Sequence, residues 1–321
     1  MTRNLRKVNE KSIEAYREFN DPEKHAARKL IWLPEAKYLK EKKRRYLKYF
    51  TLPGKLAFDI FFFEMNGILE HNERGFPDVR FCDNNRVSYA TAKKLLGKTI
   101  GIRKNFEDLV LNNRGIFWDN FPYDIYNLDF CGTCFPDEQP PFSDTFEAIS
   151  KIIEEHTHQN SFPFDIFLTM KALNSEMKAE AREQLMGNIE TNRLIREFSS
   201  KINLIIPDVN TFVESNFVDF LIISIPKLIC HLASTLCNME VISRAKYIRH
   251  NRSIGNYHIV KFVFRFSQKR QRLRIQNNDN YISNILSVLE LNNVKTIDRS
   301  CINSEIKNSL DTLTQRINKL M

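Results

Sequence analysis

Short apolar runs alternate with longer amphipathic stretches through the middle of the chain. Runs rich in β-branched and aromatic residues that end at turn signals predict strands. Strands are predicted at 46–52, 79–82, 98–103, 123–129 and 164–170. Helices are predicted at 55–69, 87–96, 106–112, 143–155 and 175–199. This repeated alternation of strand and helix predicts a parallel sheet that is covered by helices on both faces.

The pattern changes in the C-terminal third of the chain. A predicted helix at 214–236 is followed by two β-rich runs, 240–248 and 257–266, which a short polar loop joins. Two strands joined in this way predict an antiparallel hairpin. The predicted fold class is therefore α/β, a Rossmann-like and mostly parallel sheet with a C-terminal antiparallel hairpin.

Both ends of the chain predict helical appendages. Helices are predicted at 12–30 and 35–48, and further helices lie between 280 and 321 on the outside of the molecule. The predicted organisation is a basic helical extension at 1–45, a Rossmann-like domain at 46–270 and a helical appendage at 271–321. The N-terminal extension is a candidate surface for a protein partner.

Composition narrows the class of protein. The chain has 321 residues, of which 42% are hydrophobic and 27% charged, as is usual for globular proteins. No run approaches the roughly 20 apolar residues needed to span a bilayer. The N-terminus opens with Arg3, Arg6 and Lys7 instead of an apolar segment, so we expect neither secretion nor a membrane partner. Six cysteines in a chain of this length favour a reducing, cytoplasmic location.

The net charge of +9 is unevenly distributed. Residues 1–50 carry 15 basic and 7 acidic side chains, and residues 241–275 carry 10 basic side chains and no acidic one. Two basic zones that flank an acidic middle indicate a polyanion such as nucleic acid. The alternative is a solvated helical face and a solvated hairpin. The candidate nucleic-acid ligands are Lys43, Arg44, Arg45, Arg249 and Arg252.

Polar residues stand where two predicted strands end. Asn127 and Asp129 alternate in one strand and therefore face the same side, and Phe130 follows them. Asp83 follows another strand. Open α/β sheets bind ligands at the carboxyl ends of their strands, so these side chains predict a nucleotide-type ligand. For Asp83 the alternative is an N-cap of the following helix. For Asn127 and Asp129 the alternative is hydrogen bonding to neighbouring strand ends or loops.

The order of elements over roughly residues 46–266 resembles the class I S-adenosylmethionine-dependent methyltransferases. The resemblance implies that Asp83 binds the ribose of the cofactor and that the loop after the first strand lies near its methionine part. The segment Asn127-Leu128-Asp129-Phe130 is similar to the Asn-Pro-Pro-Tyr type motif of amino-group methyltransferases, without its prolines. A looser likeness joins this segment to three-cysteine-motif partner proteins, which carry a comparable Asp, aromatic and Gly. The implied cofactor residues are Thr51, Pro53, Gly54, Asp83, Asn105 and Phe106.

The resemblance implies a methyltransferase-like protein that binds S-adenosylmethionine and acts on nucleic acid or a nucleotide. Asn127 would orient the nucleophile, Asp129 would accept a proton or a hydrogen bond, and Phe130 would complete the catalytic group. The first-strand loop carries one glycine, Gly54, where the family usually has two or three. This departure motivates the alternative of a non-catalytic Rossmann-like module that binds a nucleotide, nucleic acid or a partner protein.

Two metal or redox interpretations also arise from the sequence. Asp83 and Asp129 are candidate Mg²⁺ ligands in a phosphoryl-transfer enzyme, although no third acid stands out. The pair Cys131 and Cys134 has the spacing of a redox or zinc motif. Prolines that follow it delay the next helix, and no second cysteine pair is present, so we expect ordinary loop cysteines.

Overall fold

The computed structural model describes residues 22–112, 115–130, 144–251, 255–269 and 277–321. Its strands are β1 Tyr49–Thr51, β2 Val79–Cys82, β3 Ile100–Ile102, β4 Ile125–Asp129, β5 Phe164–Ala172, β6 Asn238–Asn251, β7 Gly255–Ser267 and β8 Val294–Thr296. The helices are α1 Pro22–Ala27, α2 Leu33–Lys43, α3 Phe58–Met65, α4 Arg86–Leu95, α5 Phe106–Leu111, α6 Ile116–Asp119, α7 Asp144–His158, α8 Ala179–Thr191, α9 Arg196–Ile205, α10 Val209–Ser215, α11 Phe217–Ala233, α12 Asn277–Val288 and α13 Ser304–Leu320.

In the described residues these eight strands form one sheet in the order β3-β2-β1-β4-β5-β7-β6-β8. The strands β1 to β5 are parallel, and β7 runs antiparallel between β5 and β6. The first five strands follow the order of doubly wound Rossmann sheets. The predicted fold class, a mostly parallel Rossmann-like sheet with an antiparallel hairpin, is confirmed.

The short strand β8 pairs in parallel with β6 at the edge of the sheet. Its three residues, Val294, Lys295 and Thr296, are too few to produce a periodic pattern, so the sequence did not predict it. Residues after 280 were expected to form helices outside the domain. Part of this segment extends the sheet instead, because the hairpin leaves the backbone of β6 open to pairing.

Two hydrophobic cores lie on opposite faces of the sheet, as alternation along each strand requires. On the first face Phe50, Tyr126 and Leu128 pack against helices α5 to α12. On the second face Tyr49 and Ile125 pack against α1 to α4 and α13. Residues Asn127 and Asp129 therefore point toward the second face.

The N-terminal helices belong to the second core and are not a peripheral appendage. A π-helical turn at Arg28–Trp32 joins α1 directly to α2. Pro34 lies in the first turn of α2, directly after this π-helical turn, so the chain stays helical across the gap between the two predicted helices. Trp32 is fully buried and stacks on Phe167 of β5 at 5.6 Å. The buried apolar residues of α1 and α2 are thus used within the second core.

Two long predicted helices are interrupted in the structure. The helix predicted at 175–199 is divided by a 3-10 turn at Asn192–Leu194, where the Asn192 amide donates to the Tyr281 hydroxyl at 2.8 Å. The helix predicted at 214–236 begins at Phe217, because Asn216 leaves the helical conformation. None of the helices in the described ranges is long and apolar enough to cross a bilayer.

A buried histidine in the first core makes the stability of the fold depend on pH. The Nε2 atom of His156 lies 2.8 Å from the Tyr126 hydroxyl, and the Nδ1 atom lies 2.8 Å from the Ser161 hydroxyl. Its ring stacks on Phe164 at 3.6 Å. Burial lowers the pKa of His156 to about 3. The folded protein therefore holds this ring neutral, whereas the unfolded chain protonates it near its ordinary pKa of about 6.5.

The unfolded state binds more protons than the folded state between these two pKa values, so the free energy of unfolding falls as pH drops below 6.5. We expect wild type to lose about 1.4 kcal/mol more than His156→Phe between pH 7.5 and pH 5.5. Phenylalanine keeps the stacking on Phe164. Urea unfolding of both proteins at the two pH values measures this difference. Equal losses would show that His156 is not the group that titrates.

The comparison with the variant is necessary because other buried groups titrate as well. Burial also lowers the pKa of His25 to about 3, which adds to the loss of stability in acid. Burial raises the pKa of Asp165 to about 7, although its ion pair with Arg265 opposes this shift. The contribution of Asp165 has the opposite sign, since its folded form binds the extra proton. Both groups are present in wild type and variant and cancel in the difference.

Candidate functional site

The carboxyl ends of four adjacent strands form the candidate site. The strands β3, β2, β1 and β4 are neighbours in the sheet. The direction in which successive strands are added reverses between β1 and β4, and this switch point is where doubly wound sheets bind ligands. Thr51 of β1 is in register with Phe81 of β2 and with Asn127 of β4. The ends of these strands therefore lie in one row. The predicted residues at or just after these ends are Asn105, Asp83, Gly54 and Asp129, in the spatial order of the strands.

Asp83 follows β2 and is half-buried. Its Oδ1 atom accepts a hydrogen bond from the backbone N–H of Asn85 at 2.8 Å. Burial raises the pKa of Asp83 above its ordinary value, although this hydrogen bond opposes the shift. The N-cap of α4 is Asn85, whose side chain accepts from the N–H groups of Val87 and Ser88 at 3.0 Å each. The N-cap role that was the alternative interpretation of Asp83 is therefore filled by Asn85.

The loop after β1 makes a turn in which Gly54 has φ +60°. A Cβ at this position would meet nothing within 4 Å. Glycine is therefore favoured here by the left-handed backbone and not by close contact. Ala57 also adopts a left-handed conformation, with φ +50°, immediately before α3. Pro53 is buried between these features and β1, so only part of the predicted loop faces outward.

Apolar side chains lie behind the polar row. Phe106 is buried at the start of α5, and its ring meets Phe130 edge-on with a centroid distance of 6.3 Å. Leu52, Ile102 and Phe130 are half-buried and pack against the first core. Asn105 accepts a hydrogen bond from Asn84 beside them. The edge thus combines a carboxylate and amides with a partly exposed apolar wall, as ligand sites commonly do.

Asn127 is completely buried in a polar cluster beneath this edge. Its amide donates to Asp59 Oδ2 at 2.8 Å and to Thr51 Oγ1 at 3.1 Å. The same Asp59 oxygen accepts from the Tyr49 hydroxyl at 2.7 Å and the Thr51 hydroxyl at 2.6 Å. Burial and the nearby Asp59 raise the pKa of Tyr49 well above its ordinary value. Asn127 and Thr51 therefore join β1 and β4 to α3.

Asp59 is not among the residues predicted from the sequence, although the chain contains a signal for it. Asp59 is the one acidic residue in the run Phe58-Asp59-Ile60-Phe61-Phe62-Phe63, and it is buried. A lone acid in a buried apolar helix needs hydrogen-bond donors. The donors come from two strands that are not adjacent in sequence, and only the folded sheet brings them together.

Asp129 lies at the end of β4 and forms an ion pair with Lys24 of α1. The Lys24 Nζ atom lies 2.6 Å from Asp129 Oδ2, and the two side chains are 17% and 13% exposed. Burial opposes the charge of Asp129, but Lys24 and Lys261 overcome it and lower the pKa to about 2. Sequence reasoning missed Lys24 because it lies in the region taken as an appendage. Any ligand group that binds the carboxylate of Asp129 at this oxygen must displace the amine of Lys24.

A second lysine, which is completely buried, also stabilises the negative charge of Asp129. The Nζ atom of Lys261, on β7, donates to Thr169 Oγ1 at 2.9 Å and lies 4.0 Å from the ring centroid of Trp32. Thr169 is in register with Asp129 on the neighbouring strand. The carboxylate of Asp129, at the end of β4, thus lies near two basic side chains, Lys24 of α1 and Lys261 of β7, on the second face.

The candidate nucleic-acid ligands are divided between the amino ends and the carboxyl ends of the parallel strands. Arg45 donates to both carboxylate oxygens of Asp124 at 2.7 and 3.0 Å, and Lys43 lies 3.4 Å from the same carboxylate. These residues precede β1 and β4, so Lys43, Arg44 and Arg45 lie at the amino ends of the strands. These three basic residues therefore do not border the strand-end site, because they lie where the chain enters the sheet.

The hairpin retains part of the predicted basic zone on the ligand side. Arg249 is half-buried and pairs with Tyr257, beyond the point where Ala172 ends β5. Arg252 lies outside the described residues. Arg244 is completely buried and donates to the carbonyl groups of Val288 and Glu290, so it is not available to a phosphate.

The part of the chain that the structure describes contains no set of side chains that fits the metal or redox interpretations. There, no three His, Cys, Asp or Glu side chains converge closely enough to hold a metal ion. Asp83 and Asp129 therefore have no third ligand among those residues. Cys131 and Cys134 lie outside the described ranges.

The chain matches no model of a known protein family and no curated protein sequence. Its function is therefore inferred from the geometry of the strand ends.

Proposed function

We propose that this chain is a methyltransferase-like protein that binds S-adenosylmethionine and acts on nucleic acid or a nucleotide. The observation that carries the proposal is the row of strand ends β3, β2, β1 and β4, which aligns Asn105, Asp83, Gly54 and Asp129 at the switch point. The antiparallel β7 completes the element order that resembles class I methyltransferases. We also propose a cytoplasmic location, because six cysteines in this chain favour a reducing compartment.

The residues at this edge suit the cofactor by their chemistry. The half-buried carboxylate of Asp83 can accept hydrogen bonds from two ribose hydroxyls. Asn105 and the apolar wall with Phe106 suit an adenine ring, and the turn at Gly54 would lie near the methionine part. When bound, the cofactor supplies a methyl group on a sulfonium sulfur. The chain's own contribution is to hold and align the acceptor.

Asp129 and Phe130 are the residues of the strand-four motif that lie nearest the edge, since Asn127 is buried below them. With a pKa near 2, Asp129 is ionised at neutral pH. A fixed carboxylate stabilises the positive charge that develops on an amine as it is methylated.

Binding of S-adenosylhomocysteine by calorimetry tests the proposal. We expect Asp83→Ala to weaken binding by about 1.5–3 kcal/mol, the range for hydrogen bonds to a charged group. Asn85→Ala is the matched control, because removing this helix cap should lower stability by about 1 kcal/mol and leave affinity unchanged. Absence of binding by wild type at millimolar ligand would refute the methyltransferase proposal.

The second candidate function is a non-catalytic Rossmann-like module that binds a nucleotide, nucleic acid or a partner protein. Two observations favour it: Gly54 is the one glycine of the first-strand loop, and Lys24 lies on the carboxylate that an acceptor would need. Fold alone does not decide between a catalytic and a binding function. Affinity for nucleic acid without affinity for S-adenosylhomocysteine would favour this module.

A further inference from the structure

An open groove of about 540 Å³ lies at the amino ends of the parallel strands, on the opposite edge of the sheet from Asp83 and Asp129. It is formed where α2 ends, where the chain enters β1 and where α3 ends. The backbone N–H of Leu47 donates to the carbonyl of Ile68, one of the lining residues, at 3.2 Å. Its polar lining includes Lys37, Lys40, Glu41, Arg44, Arg45 and Tyr46.

The charge of the groove is strongly positive. Its lining carries four basic side chains and one acidic side chain, Glu41. Arg45 is paired with Asp124, and Lys40 donates to the carbonyl of Gly67 at 2.5 Å. Lys37 and Arg44 are exposed, and within the described residues neither forms an ion pair with an acid. These two side chains are therefore available to an anionic ligand.

An aromatic ring lies beside these charges. Tyr46 is 44% exposed, and the Nζ atom of Lys40 lies 4.8 Å from its ring centroid. Surfaces that bind single-stranded nucleic acid combine a basic groove that follows the phosphates with exposed aromatic rings on which bases stack. Every nucleotide offers both a phosphate for the basic side chains and a base for the ring, whereas the carboxylates of an acidic peptide use the basic side chains alone, so the combination favours nucleic acid.

The backbone of Arg44 provides a second observation. Arg44 ends α2 in the left-handed conformation, with φ 54°, and its N–H donates to the carbonyl of Lys40. Glycine is the favoured residue at such a helix end, because a side chain is strained there. The helix dipole favours cations in the last turn of α2, but it does not explain Lys37, which lies two turns before the end. The chain thus carries an exposed cation at a position where the backbone favours glycine.

We propose that this groove binds the phosphate backbone of single-stranded nucleic acid, with Lys37 and Arg44 as phosphate ligands and Tyr46 as a stacking surface. The site is separate from the strand-end site and does not depend on the proposed methyl transfer. Binding can therefore be measured without any cofactor.

Fluorescence anisotropy with a labelled single-stranded oligonucleotide of mixed sequence tests the groove. We expect Lys37→Glu combined with Arg44→Glu to weaken binding at least tenfold. Two phosphate contacts fewer should reduce the slope of log affinity against log salt by about 1.4. The matched control is Lys307→Glu combined with Lys319→Glu, which makes the same change in charge on exposed positions of α13 and should leave affinity within about twofold.

Arg44→Gly separates binding from folding. We expect it to keep or raise the melting temperature, because glycine relieves the left-handed strain, and to weaken binding at least threefold. The proposal is overturned if the groove and α13 variants lose affinity equally, since net charge would then account for binding. It is also overturned if wild type does not bind, or if polyglutamate displaces the oligonucleotide at equal concentration, which would indicate an acidic protein partner.

Discussion

Asp129→Asn is expected to reduce methyl transfer by about 10²–10³-fold, the usual effect of removing a group that stabilises charge in a transition state. The substitution keeps the shape of the side chain and removes the negative charge that, in the proposed function, faces the methyl acceptor. Affinity for S-adenosylhomocysteine should remain within about threefold, because the cofactor is assigned to the neighbouring strand ends. Incorporation of labelled methyl into a mixed pool of RNA, DNA and protein measures the loss.

The ion pair with Lys24 supplies the control for this experiment. Asp129→Asn leaves Lys24 and the completely buried Lys261 without their carboxylate, so part of any loss reflects stability. Lys24→Met removes the amine that covers Asp129 and retains the carboxylate. We expect it to preserve or increase methyl incorporation. If wild type and Asp129→Asn incorporate methyl equally, Asp129 has no part in the reaction.

Asp59→Ala is expected to lower the free energy of unfolding by about 3–5 kcal/mol. Asp59 Oδ2 accepts hydrogen bonds from Tyr49, Thr51 and Asn127, all of which are completely buried. Its removal leaves these donors with one acceptor fewer in the region that joins β1 to β4. Urea unfolding, read by circular dichroism, measures the change.

Two milder variants show whether the loss comes from this network. Tyr49→Phe removes one donor and should destabilise by about 0.5–1.5 kcal/mol, the usual net contribution of a hydrogen bond. Asp59→Asn keeps an acceptor oxygen and should lose less stability than Asp59→Ala. A loss below about 1 kcal/mol for Asp59→Ala would mean that the polar cluster contributes little to the fold.

Local patterns in the chain were sufficient to predict most of the sheet. The boundaries of β2 were predicted correctly at Val79–Cys82, and β1, β3, β4 and β5 lie within or overlap their predicted runs. Each strand is an apolar run with a turn signal after it, so its position depends on a few neighbouring residues. The alternation that places Asn127 and Asp129 on one face also follows directly from strand geometry.

The candidate site could be predicted only in part. The strand-end residues Asp83 and Asp129 follow from where strands stop. Of their partners, Asn85 can be predicted from the sequence and Lys24 cannot. Asn85 is local and fits the ordinary preference for a helix cap. Lys24 is 105 positions away from Asp129 in the chain, and no spacing or composition connects the two.

The sequence by itself determined the alternating α/β plan, the antiparallel hairpin and the presence of polar residues at strand ends, because periodicity and turn residues act over short distances. Only the tertiary structure decided which partners these strand-end residues contact. Packing of α1 over the second face placed Lys24 on Asp129, and packing of α3 placed Asp59 beneath Asn127. The direction of the strands placed Lys43, Arg44 and Arg45 at the far edge. Such contacts depend on which surfaces meet when the cores form, and burial then makes each polar pairing obligatory.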